Sequence, residues 1–492
     1  MEKRVLLATL LSLSFLFLWQ YLTYKPQQKQ IQQVTQGNTE EIKQETKNEI
    51  IDTKFEPYIV ETEKLKLVFN KYTSGIREFY IKEENNSDYT LLSKSETDSL
   101  YVDTNSKFEV KKIISSVGIR IIFVSKDKQV EYFFSPQNPY FIDITYNFLT
   151  KQKVNLLFQH YVHLDKFETL SNTVHICKIL KTDKKEISIV EKFNKGKLTT
   201  NEVKWLAIGD KYSIIAFLFN QEVPQYISVE KSSKNVKSIS IITDKEVNQY
   251  NIRLLISSKK ISVLTSLGDK FTQTVEWGTF ALLSKLFYNI LIYFYKLFGN
   301  YGVAIIWLTI ITQLLTFPLT YNSIKSTIKM KKLQPQLQLL QKLYKDDPKR
   351  LNIEIMNFYK EKKVNPFGGC LPLLLQIPIF WALFTMLRNT YDLRGAGFVL
   401  WIKDLSQPDR IFIPGINFGI PVLVILMGIT MLLQQLLSGS FSDPQQKTFA
   451  IFMPIMFTVL FINFPSGLVL YWFINNIFSI VIQIIANKTV KV

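Results

Sequence analysis

"WLTIITQLLTFPLT" (Trp307–Thr320) is the stretch on which the architecture turns. Trp307, Leu308, Ile310, Ile311, Leu314, Leu315, Phe317 and Leu319 suit a lipid environment. Thr309, Thr312, Gln313, Thr316 and Thr320 interrupt them at spacings of three and four, which on an α-helix places them along one side. The helix then runs into a basic continuation, "SIKSTIKMKKLQPQ" (Ser323–Gln336). A membrane-spanning helix with one hydrogen-bonding stripe and a cationic extension is an unusual object, and the rest of the chain supplies its context.

The chain has 492 residues, 47% of them hydrophobic, and a net charge of +18. The apolar residues concentrate in residues 1–24 and again after about Trp277. Apolar runs approaching 20 residues match a hydrocarbon core about 30 Å thick, so the chain reads as an integral membrane protein with one large water-soluble domain. Its positive charge is scattered through the soluble part and is densest beside a membrane segment. That distribution fits the lysine and arginine bias of cytoplasmic loops and speaks against a DNA-binding face. Cys177 and Cys370 fall in different regions, and His160, His163 and His175 show no metal-ligand spacing, so neither a disulfide framework, a metal nor another cofactor is expected.

"MEKRVLLATLLSLSFLFLWQYLTY" (residues 1–24) carries Lys3 and Arg4 before its apolar run and ends in Trp19, Tyr21 and Tyr24. Such a segment is either a signal peptide or an anchor. The aromatic belt, with no small-residue cleavage site after it, favours an uncleaved anchor with a cytoplasmic N-terminus. Residues 25–54, rich in Gln, Glu, Lys and Thr, read as a flexible tether.

Residues 55–270 change character. "KLKLVFN", "IREFYIK", "IRIIFVS", "QVEYFF", "YFIDITYNF" and "ISIITD" alternate apolar and polar residues with period two, which predicts antiparallel strands stacked as a β-sandwich. No nucleophile–base pair, phosphate loop or carboxylate cluster emerges. A binding or scaffolding element is expected, not an enzyme.

Residues 271–492 form the membrane half. Residues 276–298 place Lys285, Asn289 and Lys296 within one narrow arc, and two lysines inside a span would each cost about 2.5–3.5 kcal/mol. An interfacial helix avoids that cost. Spans are predicted at about 302–321, 370–387, 420–437, 449–464 and 467–486, making six with the anchor and leaving both termini cytoplasmic. Between the first two of these, residues 325–363 carry eleven basic against four acidic side chains, a net of +7. This segment reads as a cytoplasmic helical hairpin broken at "DDP" (Asp346–Pro348). Lys325, Lys329, Lys331, Lys332, Lys349 and Arg350 form its candidate docking surface for anionic lipid headgroups.

The stripe has companions: Gln376 in the second of these spans, Gln434 and Gln435 in the next, and Asn475, Asn476, Ser479 and Gln483 in the last. Two accounts stay open. The side chains hydrogen-bond across helices as interhelical glue, for about 0.6–2 kcal/mol each, or they line a water-accessible groove.

"NPFGGCLPLLLQIPIFWALFTMLR" (Asn365–Arg388), "FPLT", "LQPQ" and "FPSGLVLYWFINN" (Phe464–Asn476) resemble the YidC family of membrane protein insertases. "GIREF" (Gly75–Phe79) and "KWLAIGDKY" (Lys204–Tyr212) agree more loosely, and the layout is similar to the family's Gram-negative form, located in the bacterial inner membrane. The resemblance implies a periplasmic β-supersandwich and a C-terminal five-helix bundle. It also implies a hydrophilic groove open to cytoplasm and lipid, lined here by Thr309, Thr312, Gln313, Thr316, Gln376, Gln435, Tyr471, Trp472, Asn475 and Asn476. Nascent membrane proteins, the Sec translocon, ribosomes and membrane lipids are the partners it implies, and no DNA. Where the family usually has a groove arginine this chain has Gln313, so client recruitment by charge is not carried over. Two rival readings remain: a secondary transporter, which predicts broken-helix repeats and intramembrane ionisable residues, and a membrane-anchored periplasmic scaffold.

Overall fold

The computed structural model describes residues 55–82, 89–101, 107–161, 173–182, 185–193, 196–199, 203–219, 225–231, 236–345, 347–362, 364, 371–412, 419–438 and 444–489. The expected anchor (1–24) and tether (25–54) lie outside the described residues.

The strands, in chain order, are β1 (Pro57–Glu61), β2 (Leu65–Asn70), β3 (Ile76–Lys82), β4 (Tyr89–Ser99), β5 (Glu109–Ser115) and β6 (Gly118–Val124). They continue as β7 (Lys128–Phe134), β8 (Phe141–Gln152), β9 (Asn155–Tyr161), β10 (Thr173–Thr182), β11 (Lys185–Lys192) and β12 (Gly196–Thr199). The last are β13 (Val203–Gly209), β14 (Ser213–Phe219), β15 (Gln225–Lys231), β16 (Val236–Thr243) and β17 (Val247–Ser258). One sheet runs β11-β10-β13-β14-β17-β8-β7-β6-β5; the others run β1-β2-β3-β4 and β12-β15-β16-β9. The Leu100 amide donates to Leu157 O at 2.8 Å, joining the two smaller sheets along one layer opposite the large one. This is the β-sandwich that the period-two alternation predicts.

Its interior is aromatic. Phe79, Phe158 and Phe217 stack edge-on at 5.7 and 4.9 Å. Tyr132 and Tyr146 are fully buried, yet each phenol donates across the layers at 2.8 Å, to Ser74 O and Leu100 O. Buried hydroxyls thus keep partners where water is absent. The "GIREF" segment closes one edge: buried Asp98 accepts from Asn70 Nδ2 at 2.6 Å, Thr73 Oγ1 at 2.7 Å and Arg77 Nε at 3.0 Å.

The middle of the large sheet is buried on both faces, which explains why "WLAIG" and "SIIAFLF" read as apolar runs instead of alternating. Leu206, Ile208, Ile215 and Phe217 face the sandwich. Trp205, Ala207, Ile214 and Ala216 face α1 (Ile261–Leu267) and the turn that follows it. Trp205 stacks on Phe271 with centroids 4.9 Å apart and donates its indole N–H to Asp269 O at 2.9 Å.

Seven further helices follow: α2 (Ala281–Phe298), α3 (Tyr301–Leu343), α4 (Pro348–Glu361), α5 (Leu371–Asn389), α6 (Val422–Ser438), α7 (Pro444–Phe461) and α8 (Ser466–Thr489). Among the described residues α2, α3 and α8 are long and apolar enough to cross a membrane, and α6 and part of α7 are shorter apolar helices. The stripe and its basic continuation form one helix of 43 residues that passes through Pro318 and Pro335 and joins the predicted 302–321 span to the first arm of the predicted hairpin. Each proline lacks the amide hydrogen and so removes one backbone hydrogen bond from the helix, which nevertheless continues through it.

The β-domain meets the bundle at one end. Asn389 Nδ2 donates to Glu276 O at 2.8 Å, Tyr212 packs edge-on against Tyr391 at 6.3 Å, and the Arg394 guanidinium lies 4.9 Å from the Tyr212 ring. Beneath this joint, Lys259 is buried and donates to Asp210 O at 2.7 Å. Burial pushes its ammonium group down to about 8.

Two predictions follow from these contacts. Asp98→Ala leaves the Arg77 guanidinium unpaired and should cost about 3–5 kcal/mol, whereas Asp98→Leu with Arg77→Met should cost less; denaturant unfolding of the full chain followed by tryptophan fluorescence checks the order. For Lys259 the folded state disfavours the charged form, so its penalty is complete below pH 8. The penalty fades as pH rises toward the ordinary lysine value of 10.5. Stability should therefore gain about 3 kcal/mol over that window relative to Lys259→Met, which lacks the titrating group; thermal melts of both proteins across the window measure it.

Candidate functional site

The start of α3 is locked before the stripe begins. Asn300 accepts from the Val303 amide at 3.1 Å, satisfying one of the orphan donors of the first turn, and donates its own Nδ2 to Phe398 O at 3.2 Å. Gly302 lets Phe398 lie directly on the helix, since a Cβ there would fall 2.0 Å from the ring.

The threonines of the stripe turn inward on their own helix. Thr309 Oγ1 donates to Ile305 O at 2.7 Å, Thr312 Oγ1 to Thr309 O at 2.9 Å, and Thr316 Oγ1 to Thr312 O at 3.0 Å. Their methyl groups are thereby left to pack. Gln313 reaches across instead, donating Nε2 to Asn475 Oδ1 on α8. Gln376 on α5 donates Nε2 to the Tyr471 hydroxyl at 3.2 Å, and the Thr312 hydroxyl is a further hydrogen-bonding neighbour of that phenol. A polar seam therefore runs between α3, α5 and α8, assembled from residues 309–316, 376, 471 and 475.

Asn476 looks the other way, donating to Thr430 Oγ1 at 3.3 Å and Met427 O at 3.5 Å on α6. Trp472 also leaves the seam: it sits among Phe380, Phe457 and Phe461, with centroids 5.1, 5.7 and 5.3 Å away. Gln435 is half-buried on α6, and among the described residues no hydrogen bond joins its side chain to the seam. Sequence reading did not single out Thr430, the partner of Asn476, because a threonine in an apolar run carries no period of its own. Nor did it single out Asp409, buried in the loop after α5. Burial pushes that carboxyl up, while the Leu423 amide and the Trp401 indole (2.8 Å) donate to it.

Exposure along the stripe is graded. Thr309 is 0% exposed, Thr312 4% and Gln313 8%, while Thr316 and Thr320 are half-buried. The seam is fully buried at its β-domain end and more exposed toward the basic extension. There Lys325, Lys331, Lys332, Lys349 and Arg350 are exposed and Lys329 is half-buried. Asp347 caps α4 by accepting from the Arg350 amide at 3.1 Å. Leu339, Leu343, Ile353 and Met356 are exposed beside these cations, so this surface is amphipathic as well as positive.

These features define a class: a helical membrane bundle with a β-sandwich seated at one end, a buried polar seam, and a cationic helical hairpin at the other end. The profile of the family described as "60Kd inner membrane protein" matches residues 293–492, and that of the "YidC periplasmic domain" matches residues 81–290. The chain is 32% identical to the membrane protein insertase YidC of Endomicrobium trichonymphae, over 99% of this chain and 98% of that protein. It is 29% identical to the YidC of Geotalea uraniireducens over 99% of both. Among solved structures, an active YidC insertase with its first transmembrane domain resolved covers 89% of this chain and 93% of its own, at 18% identity and a TM-score of 0.43. The chain belongs to the YidC family of membrane protein insertases.

Each of Gln313→Leu and Asn475→Leu should cost about 0.6–2 kcal/mol, and the double variant less than their sum, because one substitution already orphans the partner amide. A double-mutant cycle of thermal stability in detergent reads this coupling. Strict additivity would place the two side chains out of contact.

Proposed function

We propose that this chain inserts newly synthesised membrane proteins and helps them fold, and that a client's polar segment travels along the α3–α5–α8 seam while its apolar segment moves into lipid. Family membership over the whole chain supports the activity, and the graded exposure of the stripe supports the route. Polar groups crossing hydrocarbon lack partners over its full thickness. A seam that supplies hydroxyls and amides partway shortens that stretch. The resting pairs are also weak enough to exchange, since each interhelical hydrogen bond contributes about 0.6 kcal/mol.

The proposed topology places the anchor and five C-terminal spans across the inner membrane, with both termini cytoplasmic and the β-domain periplasmic. The basic hairpin then lies in the cytoplasm, as the lysine and arginine bias requires. The exposed face of α2 mixes Lys285, Asn289 and Lys296 with Leu282, Leu286, Tyr293 and Leu297, which suits a helix lying in the interface. The hairpin's cations and exposed leucines suit anionic headgroups and, during synthesis, the ribosome; the Sec translocon is proposed as a lateral partner. Gln313 makes the seam neutral. Recruitment then rests on hydrogen bonding, not charge.

Thr309→Leu with Gln313→Leu should lower insertion of clients with polar translocated tails about tenfold, matching the loss of two weak polar contacts, with the protein still folded in the membrane. Insertion into reconstituted vesicles is the assay, and an undiminished rate would exclude the seam as the route. Photocrosslinkers at Thr309 and Gln313 should capture the polar segment of a stalled client, and one at Trp472 its apolar segment. Removing about residues 56–262 should leave most of the activity, whereas a periplasmic scaffold would lose it.

A further inference from the structure

The loop between α5 and α6 carries a tight turn at Phe398–Ile402 whose base and tip differ sharply. At the base, the Phe398 amide donates to Ile402 O at 2.9 Å and the Ile402 amide to Val399 O at 3.2 Å. Phe398 lies on Gly302 and its carbonyl accepts from Asn300, and Trp401 is tied to Asp409 at 2.8 Å. The tip points away from all of this. Leu400 is 84% exposed and Val399 48%. Leu400 also holds a left-handed backbone, with φ at 57°. Glycine or asparagine takes that conformation readily, and a leucine there is strained. A strained position occupied by a large apolar side chain left 84% exposed among the described residues calls for an apolar environment to cover it.

The depth of the turn identifies that environment. At 1.5 Å per residue a span of about 20 residues covers a core about 30 Å thick; counted back from Lys325, the first cation of α3, it starts near Ile305, one helical turn inside Gly302, on which the turn is packed. The last turn of α2, immediately before Asn300, exposes Leu297 and Phe298 as well, with Trp307 stacked 5.9 Å from Phe298. Lys296 and Lys403 are exposed on either side, placed to carry their ammonium groups up to lipid phosphates while their stems lie along apolar surface. Tyr301 bonds Asp392 at 3.5 Å on this same end, where the β-domain sits.

We infer that the Val399–Leu400 turn is a lipid-anchoring wedge, inserted at the boundary between acyl chains and headgroups in the leaflet that faces the β-domain. It holds the α2–α3 corner at a set depth. The inference rests on α3 crossing the bilayer and is independent of client insertion, so an insertion assay does not decide it.

The test uses the full chain in phospholipid vesicles, with both native cysteines replaced by alanine and a nitroxide label at Leu400→Cys. Ile429→Cys, on the exposed face of α6, serves as the lipid reference, and Lys126→Cys, in the turn between β6 and β7, as the aqueous one. Collision with oxygen relative to a charged nickel chelate should be about tenfold higher at position 400 than at 126, because the chelate is excluded from hydrocarbon. In a second protein, Leu400→Asn should shift a label at Val399→Cys toward the chelate, since asparagine tolerates the backbone but not the lipid. A label at 400 that behaves like the one at 126 overturns the inference. So does spin–spin broadening between copies, which would mean that protein covers the tip, and so does a label at 399 that ignores the asparagine.

Discussion

A polar atom inside a bilayer must find its partner within the protein, and the helical half of this chain is arranged around that requirement. The stripe of α3 meets it twice over. Its threonines bond the turn behind them, and Gln313 bonds Asn475 across to α8. Tyr471, one turn earlier on α8, is met by Gln376 from α5. Three helices are thus held by contacts that are local or weak. Strong, charge-assisted pairs would hold the helices rigidly, whereas hydrogen bonds of this kind contribute little each and leave the seam able to rearrange, as the proposed route needs.

The same constraint explains the division of labour along α8. Asn475 and Asn476 are adjacent in sequence, and at 100° per residue they face different neighbours: one meets α3, the other α6. Trp472 faces a third direction, into an aromatic cluster with α5 and α7. α8 is therefore the post against which the other helices are registered. The close approach of α6 and α7, where a Cβ on Gly428 would fall 2.3 Å from the Thr458 hydroxyl, completes the bundle.

The β-domain obeys a different rule. In water its layers are driven together by apolar burial, and its large sheet carries apolar residues on both faces because the linker helix α1 and Phe271 cover the outer one. The domain is thereby clamped to the segment that leads into the membrane. The buried Lys259 sits under that clamp, at the joint between the water-soluble and the lipid-facing parts of the molecule.

Much of this was legible in the residues themselves. Period-two alternation announced the strands, long apolar runs announced the helices of the C-terminal half, and the clustered lysines of 325–363 marked one end of the bundle, because these signals depend only on local geometry and on the solvent each segment needs. The residue types of the seam were legible for the same reason. Partnership was not. That Gln313 meets Asn475, that Asn476 turns to Thr430, that Trp472 stands apart and that Leu400 is pushed outward in a strained turn all depend on the rotation and depth of helices far apart in sequence. Those are set by packing between side chains, and no single stretch of the chain contains both halves of such a contact.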